Sequence, residues 1–386
     1  MVILILIKVQ TKTDHKYLIL FKNNGIMTKK NYLVTNPTVL IKAAFPVIDA
    51  HNHLWGNWQV EKVLRTMEEV GVISYCDLTG NVHIEFADGG YVISPGNISD
   101  FFENCSNKYP GRFYCFTMSN FAQPANKPLF NDSNRFVDEC IETMQSHVQL
   151  GAKGLKILKE LGLHYRDSHG KLINCDDDRL FPIWEEAGRL NIPVLIHQAD
   201  PAGFFEPVIP ENEHYESLKK YPSWSFVDPK YPRKIELLQR RDEMIRQHPN
   251  TIFILPHFAN YAENIPYVSN LLTENPNVYI DFSARLDELG RQPYSTREFF
   301  IKHQDRIIFG TDMPANLDTS VEMYQTYFRF LETYDESFYS PDYDGTFEQA
   351  RWPICGIGLP KEVLKKIYYE NILKIIPSLK LDLNIK

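Results

Sequence analysis

From Phe45 onward the chain alternates between two kinds of segment, and this alternation limits the fold more than any other feature. Short apolar runs rich in β-branched and aromatic residues recur at Val47–Asp49, Val72–Leu78, Phe113–Ser119, Gly154–Leu158, Val194–His197, Ile252–Leu255, Val278–Phe282 and Arg306–Phe309. Amphipathic stretches long enough for helices lie between most of them, as at Val60–Val70, Arg135–Leu150, Arg179–Leu190, Lys234–Gln247 and Ser295–His303. Strands that alternate with helices pair in parallel through right-handed crossovers. Eight is the number of strands that closes a (β/α)8 barrel. An open doubly wound sheet would bring a Gly-rich phosphate turn, and neither GxGxxG nor a P-loop pattern occurs. The expected fold class is α/β, a (β/α)8 TIM barrel over residues 45–386, built as one domain with loop insertions.

Composition narrows the function classes. A hydrophobic fraction of 44%, with 24 Phe and 21 Tyr, supplies a large core, and the net charge of −8 is spread without a Lys/Arg block. That pattern carries no nucleic-acid footprint. No stretch approaches the ~20 apolar residues that span a bilayer, so neither nucleic acid nor membrane is an expected partner. Cys76, Cys105, Cys115, Cys140, Cys175 and Cys355 are scattered without a CxxC, which fits free thiols in a reducing, cytoplasmic setting. Residues 1–44 are set aside as an N-terminal leader. Met1–Ile7 is apolar but lacks a preceding basic region and a small-residue cleavage site, and Met27 is a second candidate start. Two stretches exceed the minimal repeat: Pro201–Pro232, expected as a lid or substrate wall after the fifth strand, and the turn-prone Tyr334–Pro353 before a final helix around Lys361–Ile376.

The chemistry concentrates at strand ends. Phe45-Pro-Val-Ile-Asp49-Ala-His51-Asn-His53 delivers two histidines one residue apart, and strand side chains two apart share a face. Two imidazoles on one side of a strand end are half of a metal site, although an isolated pair in a loop would mean little. In a barrel the C-terminal rim carries the active site. The candidate strand ends contribute Lys156 from the fourth strand, His197 from the fifth, His257 from the sixth, Arg285 after the seventh and Asp312 after the eighth. Four histidines and an aspartate on one rim exceed what a structural barrel needs. The remaining histidines sit mostly in polar or helical contexts.

The order HxH, strand-four lysine, His, His, Asp resembles the amidohydrolase superfamily of metal-dependent (β/α)8 enzymes. Within it the chain is similar to the amidohydrolase-related branch of lactonases, carboxylate hydrolases and non-oxidative decarboxylases, from about Phe45 to the last helix. The resemblance implies that His51, His53, His197 and Asp312 hold one divalent metal, zinc or manganese. It implies that His257 faces substrate and the activated water, and that Asp312 also accepts a proton from that water. Asp49 shares the parity of His51 and His53 and is expected one layer deeper, in packing or in support behind the ligands. Neutral imidazoles with a carboxylate suit such a cation, and a water so held ionises near pH 7. Lys156 departs from the mononuclear pattern. In binuclear relatives a lysine here is carboxylated and bridges a second metal, but a substrate-facing or electrostatic role is the expected one, with a simple ion pair to a nearby carboxylate as the remaining reading. Lys159 competes with it from the opposite parity.

Arg285 at a strand end fits the bidentate capture of a carboxylate. Arg291 close behind it is expected in a surface salt bridge. Lys156 and Arg285 together would make a cationic pocket, walled by Trp55, Phe204, Phe205 and Trp224. The expected activity is hydrolysis of an ester, lactone or amide in a small carboxylate-containing molecule. Non-oxidative decarboxylation of an aromatic or unsaturated acid is the alternative, since both use one fold and one metal site. A non-catalytic binding protein is a third reading, and a full set of metal positions argues against it. The sequence leaves homo-oligomerisation open.

Overall fold

The computed structural model describes residues 5–8, 17–20, 33–34, 36–56, 58–87, 90–130, 133–314, 320–339 and 352–382. These fall into two compact units, Met1–Asn36 and Pro37–Lys386. In the first, Ile5–Lys8 and Tyr17–Leu20 pair antiparallel. Most of the 1–44 leader, and 340–351 within the expected Tyr334–Pro353 insertion, lie outside the described residues.

The second unit is a closed parallel barrel. Among the described residues its strands are β1 (Val47–His53), β2 (Val72–Asp77), β3 (Phe113–Cys115), β4 (Leu155–Ile157), β5 (Val194–Ile196), β6 (Phe253–Leu255), β7 (Val278–Asp281) and β8 (Ile307–Ile308). Parallel ladders join β1 to β2 and β2 to β3, and run on from β4 to β8. Two seams close the ring. At the first, the Lys153 N–H donates to the Cys115 carbonyl at 2.8 Å and the Lys156 N–H to the Thr117 carbonyl at 2.8 Å, beside a parallel bridge between Thr117 and Leu155. At the second, Ala50 N–H donates to Phe309 O at 3.0 Å and Asp312 N–H to His51 O at 2.7 Å. The expected barrel is therefore present.

Helices cross between the strands much as the apolar periodicity predicts. They are α1 (Val60–Val70), α2 (Ser133–Leu150), α3 (Phe181–Arg189), α4 (Lys234–Gln247), α5 (Ile265–Glu274), α6 (Pro293–Lys302) and α7 (Val321–Glu332). A shorter helical passage from Ile98 to Ser106 makes the β2–β3 crossover. Ile48, Ala50, Cys76, Tyr114, Leu195, Ile254, Tyr279 and Ile308 form one apolar cluster from every strand but β4, and the helical segment Lys361–Ile375 adds Ile372, Leu373 and Ile375 to it. The Pro201–Pro232 insertion builds its own satellite core. Phe204, Leu218 and Phe226 there pack on Leu237 and Leu238 of α4.

One element was not anticipated. After β2 the chain makes an antiparallel hairpin, Val82–Ala87 with Gly90–Pro95. Its sequence signal is Asp88-Gly89 between two apolar runs, the dipeptide favoured in tight hairpins.

β8 reaches the rim past Gly310, where a Cβ would lie 2.7 Å from the His51 Cβ and 3.5 Å from the Asp281 Cβ. Only a bare backbone lets β8 come this close to β1. Overpacking of such a site costs about 1–3 kcal/mol. Gly310→Ala is expected to destabilise the protein by that amount, read as a lower urea midpoint at unchanged slope. An unshifted midpoint would show that the seam can relax.

Candidate metal centre

His51, His53 and Asp312 converge, each offering a ligand atom, with all of these atoms within 4.8 Å of one another. One carboxylate oxygen of Asp312 lies 3.2 Å from His53 Nε2 and 3.5 Å from His51 Nε2. The two imidazoles meet edge to face, 5.6 Å between centroids. His51 Nε2 is buried without a hydrogen-bond partner. A buried polar atom left unpaired costs about 1–3 kcal/mol, and a cation would relieve that cost here. Two imidazoles and a carboxylate are the donor set of a borderline divalent ion, so these residues fit a metal.

The chain builds this cluster at the second seam. The Asp49 carboxylate accepts from the Thr311 N–H (3.1 Å), the Thr311 hydroxyl (2.6 Å) and the Tyr324 hydroxyl of α7 (2.8 Å). Asn52 Oδ1 accepts from Met313 N–H at 3.1 Å. These bonds hold the segment after β8 along β1, and Asp312 turns inward from it with φ of 60°. Asp49 faces away from the histidines, although simple alternation puts it on their side. The β1–β2 ladder slips between Asp49 and Asn52, and such a bulge reverses the parity on either side. Burial pushes the Asp49 carboxyl up to about 6, against the pull of its hydroxyl donors.

Burial favours the neutral form of three of these imidazoles, His53, His197 and His257. Burial pushes His53 and His197 down to about 4, with Asp312 and Asp200 respectively opposing the shift. Burial also holds His257 well below its ordinary value. For Asp312 burial acts upward, but the facing histidines win and hold the carboxyl well below the usual range. Neutral imidazole and ionised carboxylate are the states that ligate metals.

His257 enters the cluster on an unusual backbone. His257, Phe258, Ala259 and Asn260 all have φ between 52° and 58°, a left-handed turn that costs roughly 1–2 kcal/mol per residue. The surroundings hold it in place. His257 N–H donates to Asp281 Oδ1 at 3.0 Å, and buried Arg241 donates to the Ala259 carbonyl at 2.7 Å. The turn brings His257 Nε2 to 3.8 Å from Asp312 and its ring to 5.0 Å from that of His51. His197 stands beside His257, 4.5 Å between centroids, and its Nε2 is engaged by Asp200 at 3.2 Å. Neither of its nitrogens is among the converging atoms.

Lys156 is fully buried and its Nζ has no hydrogen-bond partner, which removes the reading of a simple ion pair. Burial pushes it down to about 8, with Asp312 and Asp281 opposing. Lys159 instead bonds Asp200, itself the partner of His197. Arg285 is buried and donates to the Ala284 carbonyl at 2.5 Å, and it makes no ion pair among the described residues. Arg291 pairs with Glu213 at 2.7 Å and lies 3.9 Å over Trp352, so it takes the salt-bridge role expected for it. Trp55 stacks on His53 at 5.0 Å, and Phe86 of the hairpin packs on Trp55. Phe204 and Trp224 stack on each other, and Phe205 packs on Phe226.

Sequence reasoning passed over two groups behind the histidines. Asp281 Oδ2 lies 2.8 Å from His51 Nδ1, and the Ser283 hydroxyl lies 3.1 Å from His51 Nδ1 and 3.0 Å from His257 Nδ1. Burial acts upward on Asp281, but His51 and the other donors hold its carboxyl well below the usual range. An acidic residue ending the apolar run of β7 was the available signal.

The comparisons with known proteins agree with this architecture. An uncharacterised TIM-barrel protein of Bordetella bronchiseptica is similar at 12% identity, TM-score 0.52, over 87% of this chain and 99% of that one. A 2,6-dihydroxybenzoate decarboxylase from Rhizobium is similar at 14% identity, TM-score 0.50, over 87% and 98%. At these identities the likeness shows the fold. No curated protein matches by sequence. Among the described residues no helix is long and apolar enough to cross a membrane. The family model described as Amidohydrolase matches residues 119–377, most of the barrel from β4 onward together with the His197, His257 and Asp312 rim, and the chain is an enzyme that belongs to the Amidohydrolase family.

Proposed function

We propose that the protein is a metal-dependent hydrolase that cleaves an ester, lactone or amide bond in a small carboxylate-containing molecule. The convergence of His51 Nε2, His53 Nε2 and Asp312 on one point carries the reading, with His51 Nε2 buried and unpaired. A divalent ion held there, zinc by preference and manganese as the alternative, would supply a Lewis acid that lets water ionise near neutral pH. His197 is proposed as the fourth ligand, exchanging its bond to Asp200 for the metal. Asp312 takes the water's proton through Oδ2, the oxygen turned from His51 and His53, and the bare Nε2 of His257, 3.8 Å from that oxygen, receives the proton and passes it on to the leaving group,. Lys156 and Arg285 are buried cations without carboxylate partners among the described residues, and they bind and orient the substrate carboxylate. A carboxylated Lys156 bridging a second metal is the lesser form of the same site. Six free cysteines among the described residues support a reducing, cytoplasmic setting,.

Trp55, stacked on His53, favours a second reading by offering a flat apolar face beside the metal position. Non-oxidative decarboxylation of an aromatic or unsaturated acid would use it, as the Rhizobium decarboxylase acts on 2,6-dihydroxybenzoate. CO2 release from such acids, against incorporation of water oxygen from lactones and esters, separates the two.

Metal content by plasma mass spectrometry, on protein purified without a histidine tag, tests the centre directly. About one equivalent is expected in the wild type, lost in His51→Ala and reduced in His197→Ala. Two equivalents would assign Lys156 to a bridge, and none after reconstitution would overturn the mechanism.

Lys156 gives a separate prediction about stability. Its folded pKa of about 8 lies below the free value of 10.5. Below pH 8 both states carry the proton and the burial penalty is complete, about 3 kcal/mol at 1.36 kcal/mol per unit. Between pH 8 and 10.5 the unfolded state binds more protons, so wild-type stability rises with pH. In chelator-treated protein, Lys156→Met is expected to be the more stable at pH 7, with the gap closing toward pH 10.5, while in metal-loaded protein its KM for substrate rises steeply. Equal denaturation midpoints at pH 7 would show that Lys156 is not a destabilising buried charge.

A further inference from the structure

The groups behind the metal position belong to one short segment, Asp281-Phe282-Ser283, at the end of β7. Its bonds are directional enough to fix where two histidines carry their hydrogens. A carboxylate accepts through both oxygens, and Asp281, whose Oδ1 already takes three donors, sets its Oδ2 2.8 Å from His51 Nδ1. The hydrogen of His51 must therefore sit on Nδ1. The Ser283 backbone carbonyl can likewise only accept, and it lies 3.0 Å from His257 Nδ1. His257 must also carry its hydrogen there. As neutral imidazoles, both rings then present a bare Nε2 lone pair toward Asp312.

We propose that Asp281 is a positioning residue that holds His51 in the Nδ1–H tautomer, so that its Nε2 lone pair is always presented to a divalent cation. The proposal rests on the metal reading of the preceding subsection. Asp281 touches neither substrate nor cation and acts through His51. The neighbouring donors make the control stringent. Asp281 Oδ1 accepts from the His257 N–H at 3.0 Å, the Ser283 N–H at 3.0 Å and the Ser283 hydroxyl at 2.6 Å. In Asp281→Asn an oxygen must stay in that place, because an NH2 group there would face three donors. The NH2 therefore falls in the place of Oδ2, against His51 Nδ1. A donor in that place forces the hydrogen of His51 onto Nε2, where it blocks ligation. One atom changes, side-chain volume is conserved, and the ring is turned from ligand to non-ligand. His257 keeps its tautomer, since its partner is a backbone carbonyl.

Nitrogen-15 NMR of histidine-labelled protein, with two-bond proton–nitrogen correlations, reads the tautomers without metal or substrate. In metal-free wild type both His51 and His257 are expected as Nδ1–H, and in Asp281→Asn only His51 should switch to Nε2–H. Zinc alone, titrated against a chromophoric chelator, should bind on the order of 100-fold more weakly to Asp281→Asn. Ser283→Ala keeps the carboxylate, so it should retain the His51 tautomer and lose far less affinity. A wild-type His51 carrying its hydrogen on Nε2 overturns the proposal even where the Asn variant does not fold, and so does an Asn variant that keeps Nδ1–H. Wild-type protein with the stated tautomers that takes up neither zinc nor manganese overturns the metal reading and leaves the tautomer control standing.

Discussion

The seam where β8 closes on β1 is the contact on which the rest of the site depends. A barrel without it is a twisted sheet with two edges, and the residues after β8 would have no defined place relative to His51 and His53. Backbone bonds alone would close the ring, since Ala50 and Asp312 donate across it. The side chains add direction. Asp49 takes Thr311 by both backbone and hydroxyl, Tyr324 of α7 reinforces it from behind, and Asn52 takes Met313. With both flanks of Asp312 pinned, its left-handed backbone aims the carboxylate at the histidines, and Gly310 supplies the bare backbone that the approach requires. Closure and ligand placement are thus one set of interactions, which explains why so polar a residue as Asp49 is fully buried in the wall of a barrel.

The site is expensive for the fold, and its costs share a direction. Lys156 is buried without a partner, His51 Nε2 and Trp55 Nε1 are buried without partners, and four residues around His257 hold left-handed angles. Each costs the protein alone about 1–3 kcal/mol. A cation and an anionic substrate would remove several of them together. Such unsatisfied groups cluster where binding is to be favourable, because affinity grows with what the ligand relieves.

Much of this was legible in the chain, and the parts that were not share a cause. The eight apolar runs predict the barrel because strand and helix periodicities are local properties. His51, His53, His257 and Asp312 could be found because barrel topology sends every strand end to one rim. Parity failed at Asp49, since a bulge in β1 is set by pairing with β2 and has no signature within β1 itself. Lys156 and Lys159 could be ranked by parity, but only the fold shows that Asp200 takes Lys159 and leaves Lys156 alone. Asp281 was hidden for a different reason. Its partner His51 lies 230 residues away, and nothing in a run such as Val-Tyr-Ile-Asp distinguishes an aspartate that serves a distant histidine from one that caps a strand.

The arrangement behind the histidines also bears on why β7 is built from so few free choices. Asp281 serves His51 with one oxygen and the turn after β6 with the other, because its Oδ1 accepts the His257 N–H. Ser283 bonds that same oxygen while its carbonyl takes the His257 ring. The orientation of the first histidine and the backbone of the strained sixth-strand turn are therefore coupled through one carboxylate. A residue that satisfied only one of them would leave the other free to move. Glutamate would carry the charge but bring one methylene too many into a site where the side chain is fully buried,. Asparagine would keep the shape but reverse one hydrogen bond. Aspartate meets both demands, so a position that reads as unremarkable in the sequence becomes among the most constrained in the barrel.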